Sequence, residues 1–381
     1  MSSQPRLASL DAFRGFAIAG MVLVNNPGSW KAIHGPLAHA SWNGCTFTDL
    51  IFPFFLFAAG LAMTLSLSRR AQEEGNRLAL LRTLARRAAV IFLIGLALNL
   101  IPSFQLATLR IPGVLQRIAL TIVLAAPLVP WGRWRAVLAG IFGFCGLYLV
   151  LMLLVPVPGT DGVVAAGRLA PGLDFGAWLD RLLLGGHLWA SARTWDPEGL
   201  VSTLPATASL LFGVLAGYYL QAPRQRLPKA AGLLLAGLAL LALGWGLGAV
   251  LLPINKNLWT PSYAVFTAGW ACLFLAAFHA LLDEASPAVT RVARRLCLPL
   301  TIYGMNALAL FVLSGLVGRV LQVLHVAGPA GSITLKEKLF LALATLPLSP
   351  ANASLVFAVL FNLAIFAVAV WMWRKQWFIK A

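Results

Sequence analysis

Acidic residues are scarce in this chain. Twelve Asp and Glu stand against 29 Lys and Arg in 381 residues, and charged residues of both signs make up only 11%. Soluble domains carry about 25% charged residues, so this level speaks against an ordinary soluble fold. Cysteine is also thin. Cys45, Cys145, Cys272 and Cys297 are scattered without CxxC spacing, which speaks against a thiol-redox or cysteine-metal centre, and no metal is expected. Cys145 and Cys272 fall inside apolar runs as small fillers. There is no P-loop, no GxSxG and no HExxH. The net charge of +17 comes without a soluble reading module, so a nucleic-acid partner is not expected.

What the chain has instead is apolar length. Hydrophobic residues reach 60% and the mean hydropathy is +0.84. The expected class is an all-α polytopic integral membrane protein, with the lipid bilayer as its solvent. About ten transmembrane helices fit, at roughly 8–26, 46–68, 88–106, 112–130, 136–155, 200–220, 231–252, 262–282, 298–323 and 353–373. The start MSSQPRLASLDAF reads as leading straight into a span rather than as a cleavable signal. Lys and Arg gather in alternate connections, at Arg6, Arg69–Arg87, Arg133–Arg135, Arg224–Lys229, Arg291–Arg295 and Arg374–Lys380. By the positive-inside rule these ends and both termini are cytoplasmic.

One domain, 1–381, is expected. The outer loop 156–199 carries an amphipathic helix in GLDFGAWLDRLLLGGHLW. The segment 338–348 is too short to span and reads as re-entrant or interfacial. Trp131, Trp134, Trp371, Trp373 and Trp377 suit an aromatic belt.

Polar residues that the apolar pattern does not explain fall at similar depth on the outer side. Asn25 ends the first span, where it either caps the helix or polarises a carbonyl beside His39. His39, Trp42 and Asn43 lie in the next loop, and Asp49 opens the second span. His39 is the pivotal residue, because imidazole can act as base or nucleophile near neutral pH. Asp49 either caps its helix or orients His39. Asp196 and Glu198 precede the sixth span, Asn255, Asn257 and Trp259 precede the eighth, and Asn306 lies within the ninth. Arg110 and Arg117 bracket the start of the fourth span, and Arg117 calls for a carboxylate or a phosphate. Asp11 and Arg14, three apart on one helix face, suit an ion pair. Such convergence fits a membrane enzyme or a transporter.

SLDAFRGFAIAGMVLVN, HASWNGCTFTDLIFPFFLF, RIPGVLQRIAL, DPEGLVSTLPA, INKNLWTPSY and YGMNAL together resemble the heparan-alpha-glucosaminide N-acetyltransferase family and its bacterial relatives. The resemblance implies an inner-membrane transmembrane acyltransferase that moves acetyl from cytoplasmic acetyl-CoA to the amino group of a glucosamine-type sugar outside. It makes His39 and Asn25 the catalytic pair. Trp42, Asn43, Asp49, Asp196, Glu198, Asn255, Asn257 and Trp259 become candidate substrate contacts. Arg14, Arg110, Arg117 and Asn306 become candidate acetyl-CoA contacts, with Arg82, Arg86 and Arg87 as a further phosphate-binding cluster. A homodimer is implied as well, and the chain is expected to begin at the first core span. An amino-sugar transporter of the inner membrane is the competing reading, although no discontinuous helix pair in matching halves points to one.

Overall fold

The computed structural model describes residues 7–74, 77–101, 103–129, 134–223, 228–328 and 331–379. Of the residues used above, Arg6, Trp131, Arg133, Arg224, Arg226 and Lys380 lie outside these, as do the side chains of Arg69, Arg70 and Arg77. The helices in chain order are α1 (Ala8–Asn25), α2 (Phe47–Glu74), α3 (Arg77–Leu100), α4 (Val114–Ala125), α5 (Trp134–Leu154), α6 (Phe175–Leu184) and α7 (Thr203–Gln221). They continue with α8 (Lys229–Val250), α9 (Pro261–His279, running on as a π-turn over Ala280–Glu284), α10 (Pro287–Leu296), α11 (Leu298–Met305), α12 (Ala307–Val323), α13 (Leu335–Ala344) and α14 (Pro350–Arg374). Two small antiparallel hairpins, Val157–Pro158 with Val164–Ala165 and His325–Gly328 with Gly331–Thr334, are the only sheets among the described residues.

Eight of these helices are long and apolar enough to cross a bilayer, or nine if the bent pair α11–α12 is one span. The protein is a multi-pass helical membrane protein. Its lipid-facing sides are legible in α5 and α8, which expose Phe142, Leu147, Leu235, Leu238 and Trp245. In water such surfaces would cost roughly 25 cal/mol per Å², whereas acyl chains accept them.

The boundaries depart from the hydropathy reading in three places. α3 begins at Arg77 rather than near 88, so Arg82, Arg86 and Arg87 ride on the helix and not in a loop. Arginine is a good helix former, and a hydropathy window cannot see a charged extension of a span. α4 holds only 12 residues and gives way to turns at Ala126, so it is too short to span alone. Ahead of 338–348 the chain makes the second hairpin, then α13 starts at a Thr334–Glu337 capping box.

The chain forms two compact units. The first takes in α1, α2 as far as Phe55, and everything from Phe274 onward. Here α1 and α11 cross at a reciprocal glycine contact. A Cβ on Gly15 would sit 1.7 Å from the Leu300 carbonyl oxygen, and one on Gly304 would sit 1.9 Å from that of Asp11. Only the missing side chains let the backbones meet. Phe13, Phe16, Phe54 and Phe274 fill the space beside them, with Phe16 stacked on Phe274 at 5.1 Å. The amino end of α1 has no cap of its own, and Asp283 supplies one by accepting the Ala8 and Ser9 N–H groups. The helix pair α11–α12 bends by 83° at Asn306. Its amide donates to the Trp377 carbonyl and accepts from the Ile379 N–H, so the backbone of 377–379 is tied to the break.

The second unit takes in residues 41–44 and Leu56 to Leu273. α2 and α7 repeat the glycine device. A Cβ on Gly60 would lie 1.9 Å from Leu210 O, and one on Gly213 would lie 1.9 Å from Phe57 O. α7 is nearly buried along its length and packs on α4 and α5. Tyr148 of α5 is wholly buried and donates to Leu258 O at 3.0 Å, within a cluster that includes Met152, Val201 and Leu252.

Candidate functional site

In the first unit the loop leaving α1 returns to the start of α2. Asn26, not Asn25, caps α1: its N–H meets Leu23 O and its side-chain amide donates to Val22 O. Asn25 ends the helix with its side chain exposed. At the other end of the loop Asp49 sits in the first turn of α2 with none of its side chain exposed. It accepts from the Thr46 N–H at 3.0 Å, the Thr46 hydroxyl at 3.0 Å and the Ala40 N–H at 3.1 Å, all on Oδ2. Those bonds satisfy helix-start donors and pin the loop carrying His39. The other oxygen, Oδ1, lies 2.6 Å from His39 Nδ1. The same carboxylate thus stands in the first turn of α2 and against His39.

His39 therefore has a buried anion on one ring nitrogen, while 42% of its side chain is exposed. A carboxylate at Nδ1 favours the tautomer with its proton there, which leaves the lone pair on Nε2. It also stabilises the imidazolium that forms when Nε2 takes a proton. This arrangement can serve a general base or a nucleophilic imidazole. Also in this unit, His34 Nε2 meets Asn352 Oδ1 at 2.9 Å, and Arg14 holds Asp11 at 3.1 Å and the Gly304 carbonyl at 2.6 Å.

In the second unit the residues after His39 are anchored separately. Trp42 donates to Leu169 O at 3.1 Å and stands edge-on to Trp195 at 5.1 Å, which in turn meets Trp189. Asn43 is exposed and accepts from the buried Asn255 amide at 3.0 Å, and Gly44 N–H donates to Ile254 O at 2.7 Å. Trp259 adopts a left-handed backbone with φ +49°, a costly conformation for a bulky residue. The turn is held by bonds from Trp259 N–H to Lys256 O and from Thr260 N–H to Asn255 O. Trp259 is buried, with its indole N–H on Ser209 Oγ.

Arg110, Asp196 and Glu198 come together across 86 residues of chain. Arg110 Nε reaches Asp196 Oδ2 at 2.8 Å, and Nη2 reaches Asp196 Oδ1 and Glu198 Oε2 at 2.5 Å each. Burial works against the charge on Arg110, but the bonds to Asp196 and the charge of Glu198 outweigh it, so its pKa is raised. Burial likewise opposes the charge on Glu198, and the Arg110, Arg117 and Lys256 charges hold its pKa below the usual range.

Arg117 is 1% exposed. Its Nη2 donates to Gly199 O and Ser202 Oγ, and its guanidinium lies 4.9 Å from the Trp259 ring. Nε and Nη1 of Arg117 are buried without a hydrogen-bond partner among the described residues.

Two carboxylates escaped the sequence reading. Asp174 caps α6 through the Ala177 N–H, and Asp180 accepts the Leu200 N–H at 3.0 Å. Burial raises both, Asp180 to about 7. Within 156–199 the helix α6 buries Asp180 and exposes Leu182 and Leu183. Asp174 before an apolar segment was a readable helix start. Nothing local marks Asp180, whose partner lies 20 residues on. Together Tyr148, Asp174, Asp180, Asp196, Ser202 and Asn257 line a cavity of about 20 Å³, room for one water.

A model of the catalytic family described as heparan-alpha-glucosaminide N-acetyltransferase, catalytic, matches residues 6–161, which contain Asn25, His39 and Asp49. The human protein named heparan-alpha-glucosaminide N-acetyltransferase is 32% identical over 341 residues, covering 73% of this chain and 49% of the relative. The mouse protein of that name is 30% identical over 338 residues, covering 74% and 50%. The chain spans about half the length of the curated relatives it matches.

Proposed function

From the premise that this chain belongs to the heparan-alpha-glucosaminide N-acetyltransferase family, we propose that it is a transmembrane N-acetyltransferase using cytoplasmic acetyl-CoA to acetylate a glucosamine-type amine on the outer face. The observation that carries this reading is the His39–Asp49 pair, a solvent-reaching imidazole on a buried carboxylate.

A glucosamine amine is an ammonium near neutral pH and cannot attack until it loses a proton. His39 Nε2 takes that proton, and Asp49 steadies the imidazolium. The amine nitrogen then bonds to the thioester carbonyl carbon, the C–S bond breaks, His39 returns its proton to the departing thiolate, and the second proton lost by the new amide nitrogen goes to solvent. In the alternative route Nε2 attacks the thioester carbon first and the C–S bond breaks to release CoA, after which the sugar amine attacks the acetyl-imidazole and the Nε2–C bond breaks. Asn25, exposed at the end of α1, is assigned to orient His39 or the acyl carbonyl. Of the candidate acceptor contacts in the second unit, Trp42, Asn43, Glu198 and Asn257 are not buried, whereas Asp196, Asn255 and Trp259 are buried, as is Asp49 in the first unit.

Acetyl-CoA supplies the activated acyl carbon. Of the four residues first assigned to it, Arg14, Arg110 and Asn306 commit donors to protein groups, while Arg117 keeps two N–H groups unmet. Arg82 and Arg86 are exposed on α3 and suit its phosphates better. Cytoplasmic termini and a bacterial inner-membrane location belong to the same reading, supported by the distribution of Lys and Arg, and a homodimer enters it through the family alone; the described helices supply eight spans, or nine with the bent pair as one.

The test is incubation of the purified protein with labelled acetyl-CoA and a panel of amino sugars, beside His39→Ala. Label should reach a sugar only with His39 intact. Wild-type turnover in His39→Ala would remove His39 from the chemistry, and no label on any sugar would remove the reading.

A further inference from the structure

α10 is a ten-residue helix between the end of the α9 span and the bent pair α11–α12. It is too short to cross a membrane. It is also poorly covered by its own unit, since only Ala293 is buried, against Ala12 and Leu282.

Its two faces differ sharply. At 100° per residue, Arg291, Arg294 and Arg295 share an arc of about 100°, and all three are exposed. Val289, Val292 and Leu296 share an arc of about 60° on the opposite side. They are 46%, 58% and 76% exposed. None of the three arginines makes an ion pair among the described residues. The nearest carboxylates along the chain, Asp283 and Glu284, both face His279.

We propose that α10 is an interfacial anchor. It lies in the plane of the bilayer surface, with Val289, Val292 and Leu296 among the acyl chains and the three arginines on the phosphates of anionic lipid headgroups. Charge complementarity selects this occupant, because a cationic face without protein carboxylates calls for anions. Position agrees, because the helix joins two membrane segments and must run close to the surface between them. An apolar stripe in water next to the membrane would be a liability, and acyl chains remove it.

The experiment compares backbone amide exchange over 287–296 in the whole protein, reconstituted in nanodiscs of phosphatidylcholine alone and of phosphatidylcholine with phosphatidylglycerol. Each arginine near an anionic surface is worth roughly fivefold in binding. Exchange in the wild type should slow at least about fivefold with phosphatidylglycerol. The exposed triple variant Arg291→Gln/Arg294→Gln/Arg295→Gln should lose that dependence on lipid. Inorganic pyrophosphate added to the neutral discs should give no protection.

Equal exchange in both discs would overturn the proposal. Protection reproduced by pyrophosphate would assign the arginines to a soluble polyanion instead. Protection that tracks the number of protein copies per disc would make this face a contact between copies.

Discussion

Replacing Arg110 by Gln tests the network that joins the α3–α4 connection to the segment before α7. Asp196 has none of its side chain exposed and Glu198 only 9%, whereas Arg110 has 25%. The substitution removes three charge-assisted bonds and leaves two carboxylates facing each other. Bonds to charged groups contribute roughly 1.5–3 kcal/mol each, and breaking a buried pair from one side costs about 3–5 kcal/mol. The quarter exposure of Arg110 lets water replace part of this, and Asp196 keeps its bond from the Glu198 N–H. We expect a loss of about 3 kcal/mol. The assay is denaturant titration in detergent followed by tryptophan fluorescence.

A cycle with Asp196→Asn should show a coupling above about 1.5 kcal/mol. The pH course adds a sign. In the wild type Glu198 is held below its ordinary value, so it stabilises above that value and the gain is lost as pH falls through the folded pKa. Without Arg110, Glu198 titrates higher, so the penalty of Arg110→Gln should grow as pH rises from about 4 toward 7. A cost below about 1 kcal/mol, the same cost in the Asp196→Asn background, or no change with pH would refute the reasoning.

Three other predictions follow from the same geometry. Asp180, pushed up to about 7, binds more protons folded than unfolded between about 4 and 7. Its contribution is therefore fully present at low pH and is lost as pH rises through 7, and Asp180→Asn should abolish this slope in a melting-temperature series. Asp49→Asn leaves the helix-start bonds partly intact but removes the charge behind His39, so kcat for sugar acetylation should fall about 10²–10⁴-fold with little change in KM; an unchanged kcat would detach Asp49 from the chemistry. Gly213→Ala would place a methyl 1.9 Å from Phe57 O and drive α2 and α7 apart. It should cost about 1–3 kcal/mol in thermal stability, against a near-zero effect for Gly143→Ala, where the space is open.

The membrane class and most spans were legible in the sequence because burial in lipid depends on local composition. A run such as Lys229–Val250 is apolar whatever it packs against. The His39–Asp49 pair was also within reach, since ten residues separate the partners and one helix start holds both. Charge on a helix surface was not, which is why α3 extends through arginines that hydropathy placed in a loop.

The sequence by itself determined the solvent, the apolar segments and the closeness of His39 to Asp49, because each is a property of residues near one another in the chain. Tertiary structure alone decided that Arg110 serves Asp196 and Glu198, that the buried Asp180 accepts the Leu200 N–H, and that Gly15, Gly304, Gly60 and Gly213 mark backbone crossings. The physical reason is range. Ion pairs and close helix contacts join groups tens to hundreds of residues apart, and no local pattern records which distant atom will fill the space.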